Sequence, residues 1–151
     1  MVAMRLSHIP LRLATGAFIL NSGLGKRGIE QAHAEGLHGS AKGAYPFLAD
    51  MEAARFADLL SKGEIVLGAG LLAPFVPSGL AGAALAVFSG SLLGMYLRTP
   101  ALHREGSILP SQQGVAIAKD VWMFGIGLAL VIDSLTPRRR RRRYNVRSLA
   151  R

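Results

Sequence analysis

The stretch IVLGAGLLAPFVPSGLAGAALAVFSGSLLGMYL, residues 65–97, contains no charged side chain. A helix that crosses a bilayer needs about 20 predominantly apolar residues, so this stretch is too long for a single crossing. A Pro-Phe-Val-Pro-Ser-Gly sequence at 74–79 is typical of a turn and divides the stretch near its middle. The stretch therefore predicts two membrane spans joined by a short turn, and the first of them must begin early enough to include Glu64.

Two further spans are predicted, one on each side of this pair. The last contains Lys119 and Asp120, followed by the uncharged run 121–132. The first contains Arg12, whose long side chain is expected to extend toward the membrane surface. The sequence thus predicts an all-α fold, a four-transmembrane-helix bundle within a membrane domain at 1–135, with spans at about 8–25, 57–74, 79–97 and 114–135.

The composition favours a membrane protein over a soluble domain. Half of the 151 residues are hydrophobic, 18% are charged, and the mean hydropathy is +0.32. The chain contains no cysteine, which excludes disulfide formation or thiol exchange by the chain itself.

The net charge of +9 is concentrated at the C-terminus. Eight of the 18 Lys and Arg residues lie in 138–151, where there is no acid. The remaining ten basic and nine acidic residues leave a balance of +1 for 1–137, so we expect no nucleic-acid partner. We expect a basic cytoplasmic tail at 136–151 that contacts anionic lipid headgroups of the membrane. The residues of this contact are Arg138, Arg139, Arg140, Arg141, Arg142 and Arg143.

The basic residues near the ends of the spans predict the orientation. Four spans place both termini on the same side of the membrane. That side carries Arg5, Arg12 and the eight arginines of the tail, against seven Lys and Arg residues on the opposite side. Because cytoplasmic segments carry the excess of Lys and Arg, we expect a multi-pass protein with both termini cytoplasmic.

The segment 25–55 separates the first two spans. Its first part is rich in glycine and histidine and is expected to be a loop on the outer side. After Pro46 the apolar residues Phe47, Met51 and Ala54 follow a roughly helical spacing. This pattern predicts an additional amphipathic interfacial helix that leads into the second span.

Three other patterns favour alternatives that we consider weaker. The Ala-His-Ala sequence at 32–34 resembles a signal-peptide cleavage site, but charged residues separate it from the apolar run. The sequence GLGKRG at 23–28 matches a dinucleotide-binding fingerprint without a preceding predicted strand. His33 and His38, with two nearby glutamates, are more typical of a solvated loop than of a metal site, so we predict no metal.

The predicted topology brings several polar side chains to a similar depth near the outer surface. The candidate polar pocket consists of Asn21, Lys26, Glu64, Arg98, Lys119, Asp120 and Trp122. One hypothesis is that Glu64 and Asp120 handle protons there. The other, which we favour because every acid has a basic neighbour, is a structural network of ion pairs. No catalytic residue is identified.

Two further packing features are predicted. Small residues recur at every fourth position in the third span, at Gly82, Ala86, Gly90 and Gly94. They predict close helix packing, either within the chain or in a homo-oligomer. Asp133 is expected to form an ion pair with the arginine run at the inner surface.

Three short motifs resemble the DoxX family of small bacterial membrane proteins. The first span carries Arg12 and Gly16, followed by GLGK at 23–26. The second carries SKGEIVLG at 61–68, and the fourth carries AKDVWM at 118–123. The resemblance implies a four-helix protein of the bacterial inner membrane, linked to quinone-coupled thiosulfate oxidation and to complexes that handle oxidative or thiol stress. The Gly/His-rich segment and the arginine tail depart from the family pattern.

Three functions follow as hypotheses. The first is a non-catalytic subunit or scaffold of a membrane-associated redox or oxidative-stress complex, with redox or stress-response proteins as partners. The second is a quinone-interacting oxidoreductase subunit that uses Glu64, Lys119 and Asp120, with quinone as the candidate cofactor. The third is a small proton-coupled transporter that uses the same cluster. Because the sequence has no cysteine and no evident haem or metal ligand set, we expect no enzyme activity from the chain alone.

Overall fold

The computed structural model describes residues 5–112 and 114–136, and the regular elements in this part of the chain are helical. The all-α prediction is therefore confirmed. The predicted lipid contact at 138–143 lies outside the described residues. The helices are α1 (His8–Gly25), α2 (Gln31–Ala44), α3 (Ala53–Leu72), α4 (Ser78–Arg98), α5 (Val115–Ala118) and α6 (Asp120–Leu135). Short 3₁₀ turns lie at Pro46–Leu48 and Pro100–Leu102.

The helices pack as two pairs, α1 with α3 and α4 with α6. Glycines allow the two backbones of each pair to approach closely. A Cβ atom at Gly68 of α3 would lie 2.6 Å from the backbone nitrogen of Leu20 in α1. A Cβ atom at Gly127 of α6 would lie 2.7 Å from the backbone nitrogen of Ala86 in α4. Both contacts therefore require a residue without a side chain, as is common where apolar helices pack in membranes.

The row of small residues on α4 packs within the chain. Gly82 lies against Leu130 of α6, and Ala86 lies against Gly127. Gly94, nearer the end of α4, leaves room for the Tyr45 hydroxyl, which donates a hydrogen bond to the carbonyl of Ser91 at 2.7 Å. The stripe thus serves contacts with α6 and with the segment after α2.

Arg12 joins α1 to the end of α3. We expected its side chain to extend to the surface, but it is only 2% exposed. Its guanidinium group donates hydrogen bonds to the carbonyls of Gly70, Leu71 and Ala73 at the end of α3. It also donates to the Val76 carbonyl in the following turn and to the hydroxyl of Ser78, the first residue of α4. All five bonds are 2.7–3.1 Å long. The last carbonyls of a helix have no partner within the helix and carry partial negative charge, so a buried cation is stabilised there.

The additional helix lies earlier in the chain than predicted. The Gly/His-rich segment expected to be a loop forms α2, and the residues after Pro46 form a 3₁₀ turn and a bend before α3 begins. Ala34, His38 and Ala41 are the buried face of α2, which packs on α3. The His38 Nε2 atom lies 2.8 Å from the carbonyl oxygen of Leu48, which fixes the turn beneath the helix. Small side chains on one face let α2 lie close to α3, and this contact outweighs the low helix propensity of its glycines.

Two segments are long and apolar enough to cross a membrane, Ser78–Arg98 and Val115–Leu135. They correspond to the third and fourth predicted spans. The segments of the first and second predicted spans are also helical, as α1 and α3. These two helices carry more polar residues, including Arg12 and Asn21 in α1 and the ion-paired Asp58 and Lys62 in α3.

Candidate functional site

The centre of the candidate site is an ion pair between α1 and α3. The Lys26 ammonium nitrogen lies 2.9 and 3.1 Å from the two carboxylate oxygens of Glu64, and 2.7 Å from the Ser22 hydroxyl. Glu64 is only 5% exposed. A side chain at Gly23 would collide with the Cβ atom of Glu64, so this glycine allows Glu64 to lie against α1. The structure thus brings together two members of the predicted pocket, Lys26 and Glu64.

Ser61 is a neighbour of this pair that the predicted pocket did not include. Its hydroxyl donates a hydrogen bond of 2.8 Å to the carbonyl of Gly23, and the residue is 2% exposed. Ser61 precedes Glu64 by three positions and therefore lies on the same face of α3. This three-residue spacing is visible in the sequence and could have added Ser61 to the predicted pocket. Because Lys26, at the end of α1, pairs with Glu64 and Ser61 bonds to the last turn of α1, these two contacts hold this end of α1 against α3.

Asp120 is the second buried acid of the site. It is the first residue of α6 and is 4% exposed. It lies close enough to Glu64 for the two charges to interact. Across residues 5–112 and 114–136, no hydrogen bond or ion pair joins its carboxyl group to another residue. The adjacent Lys119 is exposed, with its ammonium nitrogen 4.7 Å from the centre of the Phe18 ring.

The remaining three predicted members are not brought to the Lys26–Glu64 pair. The Arg98 guanidinium donates a hydrogen bond to the carbonyl of Ala44 at 3.1 Å and lies 5.0 Å from the centre of the Tyr45 ring. Arg98 therefore holds α4 to the end of α2. Asn21 is exposed, and Trp122 is 73% exposed.

A cavity of about 350 Å³ lies beside the ion pair, under the turn that joins α1 to α2. Lys26 and Ser61 line its inner wall, and Arg27, Gln31 and Asp58 contribute polar groups. Ligand sites of proteins have volumes of about 300–1,000 Å³, so the cavity is near the lower end of that range. Its lining polar groups Lys26, Ser61 and Asp58 are already engaged with Glu64, the Gly23 carbonyl and Lys62, respectively.

Searches of protein-family models, curated proteins and solved structures found no match to this chain. The resemblance to DoxX proteins therefore rests on the three motifs in the sequence. In the structure, those motifs include the buried Arg12, the paired Lys26 and Glu64, and Asp120.

The described residues offer no cluster of His, Asp and Glu arranged for a metal ion. The two histidines considered as metal ligands in the sequence analysis have different environments. His33 is exposed, whereas His38 is buried and its ring packs on Phe56 with 5.4 Å between ring centres.

A second polar cluster lies at the opposite end of the helices. Asp133 of α6 forms an ion pair with Arg5, and its Oδ2 atom lies 2.5 Å from the Nε2 atom of His8. A cavity of about 450 Å³ lies between α1 and α6 at this end of the helices. Leu11 and Leu130 are two of its apolar lining residues. The partners of Asp133 are therefore Arg5, which precedes α1, and His8, the first residue of α1. The arginines of the tail, which we predicted as its partners, lie outside the described residues.

Chemically, the two ends of the helices differ. At the Lys26 end, the ion pair is closed and Glu64 has both oxygens engaged, which suits it to hold helices together. Asp120 is the acid there without a partner among the described residues. At the Asp133 end, the carboxylate of α6 contacts His8 at the start of α1 and pairs with Arg5, which precedes α1.

Proposed function

We propose that this chain is a DoxX-like integral membrane protein of the bacterial inner membrane, with four spans formed by α1, α3, α4 and the α5–α6 segment. Both termini are cytoplasmic in this proposal. The protein acts as a non-catalytic subunit or scaffold of a membrane-associated redox or oxidative-stress complex.

The observation that carries the membrane location is the distribution of polar and apolar side chains. Each of the four helices presents large apolar groups outward: Phe18 of α1 is 50% exposed, Val66 of α3 72%, Val87 of α4 75% and Trp122 of α6 73%. In water, such surfaces would be unfavourable. Surrounded by lipid, they are stable.

The interior shows the opposite distribution. The buried side chains include the charged groups of Arg12, Glu64 and Asp120 and the hydroxyl groups of Ser61 and Ser89. Charged groups within membrane spans usually face the interior of a bundle and pair there. This arrangement, present in α1 and α3 as well as in the two more apolar segments, supports four spans.

The scaffold role is supported by what the buried polar groups do. Arg12 ties α1 to α3 and to the following turn, and Lys26 and Glu64 hold the other ends of the same helices. Asp133 joins α6 to α1. Most buried charges therefore position helices, which is consistent with a subunit that offers a surface to partners.

The topology is tested with single cysteines, because the natural chain contains none. In intact cells with a permeabilised outer membrane, Ser40→Cys on the exposed face of α2 should react with a membrane-impermeant maleimide. Ser7→Cys, exposed before α1, should react only after the inner membrane is opened. The matched control is Val66→Cys on the outer face of α3, which should stay unlabelled in both conditions. Labelling of Val66→Cys in closed membranes, or recovery of the chain in the soluble fraction, would contradict the four-span proposal.

The scaffold role is tested by extraction in a mild detergent and mass spectrometry of the bound proteins, lipids and quinones. We expect a reproducible set of redox or stress proteins to co-purify with the chain. The Glu64→Gln variant serves as a comparison for the quinone hypothesis. Recovery of the chain without partner proteins but with bound quinone, lost in Glu64→Gln, would favour an oxidoreductase subunit and contradict the scaffold.

A further inference from the structure

The helical hydrogen-bond pattern of the last predicted span is irregular at Lys119, next to Asp120, although Lys119 keeps helical dihedral angles of φ −59° and ψ −22°. Helix α5 ends at Ala118 and α6 begins at Asp120. Here the backbone N–H of Trp122 donates to the carbonyl of Lys119 at 3.0 Å. This is an i to i−3 bond, as in a 3₁₀-helix, in place of the i to i−4 bond of a regular α-helix.

Asp120 is buried next to this irregular position, and the charges around it are already engaged. Glu64 of α3 is the other buried acid at this end of the helices, and both of its oxygens accept hydrogen bonds from Lys26 of α1. Lys119, on its own segment, places its ammonium group over the ring of Phe18. If all these groups are ionised, Asp120 is the buried charge without a direct partner among the described residues.

Helix α4, which packs along α6, supplies no counter-ion from its nearby polar end. The Tyr96 hydroxyl donates to the carbonyl of Ile108 at 2.7 Å. The Arg98 guanidinium is held by the carbonyl of Ala44 and the ring of Tyr45. The charged and titratable groups of the neighbouring helices are therefore directed elsewhere.

An ionised carboxylate without a partner is very unfavourable in an apolar medium, and such a group takes up a proton instead. We propose that Asp120 is a proton-binding site, whose carboxyl group carries an exchangeable proton, whereas Glu64 forms the ion pair with Lys26. The site rests on the membrane location proposed above and is independent of the scaffold role. The competing interpretation is an ionised Asp120 that stabilises the first turn of α6 through the helix dipole.

The two interpretations differ in the chemistry of the carboxyl group. A membrane-soluble carbodiimide reacts with a protonated carboxylic acid. The acid proton moves to a carbodiimide nitrogen, and the carboxyl oxygen bonds to the central carbon. The product rearranges to a stable N-acylurea. An ionised carboxylate in an ion pair lacks the proton that this reaction consumes.

The experiment treats membrane vesicles that contain the full-length protein with dicyclohexylcarbodiimide at neutral pH and maps the adduct by fragment mass spectrometry. We expect one adduct, on Asp120, with a yield that falls as the pH is raised. Asp120→Asn should lose the adduct, whereas the matched Glu64→Gln variant should keep it. Asp58, exposed and paired with Lys62, is the internal control and should stay unmodified.

Mapping on the wild-type chain keeps the test valid even if Asp120→Asn fails to fold. An adduct on Glu64 in place of Asp120, or no adduct on Asp120 at neutral and mildly acidic pH, would overturn the proposal. Protection by sodium chloride but not by choline chloride would also overturn it, in favour of a monovalent metal cation. If the cysteine labelling supports four spans and Asp120 stays unmodified, only the proton site fails.

Discussion

Replacing Arg12 by lysine keeps the positive charge but removes the planar group that reaches the end of α3. Arginine has five N–H donors, and in this structure they make five hydrogen bonds. Lysine has three donors, so Arg12→Lys must lose at least two of these bonds. Arg12→Ala loses all five and leaves the carbonyls of Gly70, Leu71 and Ala73 without this partner.

The size of the effect follows from the number of bonds lost. Polar contacts between membrane helices contribute about 0.6 kcal/mol each on average. The free energy of unfolding should therefore fall by about 1 kcal/mol for Arg12→Lys and by about 3 kcal/mol for Arg12→Ala. For a chain of this size, 1 kcal/mol corresponds to about 2–4 °C in melting temperature. We expect decreases of about 2–5 °C and about 6–12 °C for the two variants.

The measurement is the fraction of detergent-solubilised protein that stays monodisperse after heating, read by size-exclusion chromatography. The matched control is Lys62→Ala, which removes an exposed ion pair with Asp58 one helical turn away. Such surface pairs contribute about 0.3–0.5 kcal/mol, so this variant should melt within about 2 °C of the wild type. If Arg12→Lys melts with the wild type, or no lower than Lys62→Ala, the described role of Arg12 is refuted.

Two further predictions concern the helix contacts. Gly127→Ala places a Cβ atom 2.7 Å from the backbone of Ala86, so α4 and α6 must separate, at a cost of about 1–3 kcal/mol. The control Gly125→Ala meets nothing within 4 Å and should melt at or above the wild-type temperature; equal melting of the two variants would contradict the packing. Lys26→Glu or Glu64→Lys alone leaves buried like charges and should cost about 3–5 kcal/mol, whereas the double exchange should recover part of the loss in a double-mutant cycle. Additive losses would show that the pair is not coupled.

The four helical segments expected as spans and the central turn could be predicted from the sequence. The uncharged run and its two prolines place the turn at 74–79, and the structure begins α4 at Ser78. The bounds of α1, His8–Gly25, coincide with those expected for the first span. These features depend on local composition and on the absence of a backbone donor in proline, both of which are visible in sequence.

Helix α2 was not predicted because it is stabilised by its contact with α3 and not by the helix propensity of its residues. Gly36, Gly39 and Gly43 suggest a loop, but they lie on the face where nothing approaches within 4 Å. The buried face repeats Ala34, His38 and Ala41, and its stability comes from packing on α3. Without the position of α3, the glycine and histidine content of this segment indicated a loop.

The candidate site was predicted in part for a similar reason. Depth along a helix follows from residue number, and it placed Lys26, Glu64 and Asp120 at one level. Direction around the helix axis does not follow from depth, so Arg98 and Trp122 were included although they point elsewhere. The contact of His8 with Asp133 joins residues 125 positions apart, and no local pattern indicates such a pairing.

The bonds made by Arg12 also bear on the order of events during synthesis. Its partners follow it by 58 to 66 positions along the chain. At about 5–20 residues per second, the ribosome needs roughly 3–12 seconds to produce the end of α3 after it has produced Arg12. During that interval the guanidinium group lacks its carbonyl partners, so in a four-span protein the first helix should stay at the translocon or the membrane surface. Final placement of α1 would then occur together with α3, and a ribosome-stalled chain ending before Gly70 should leave α1 extractable from the membrane.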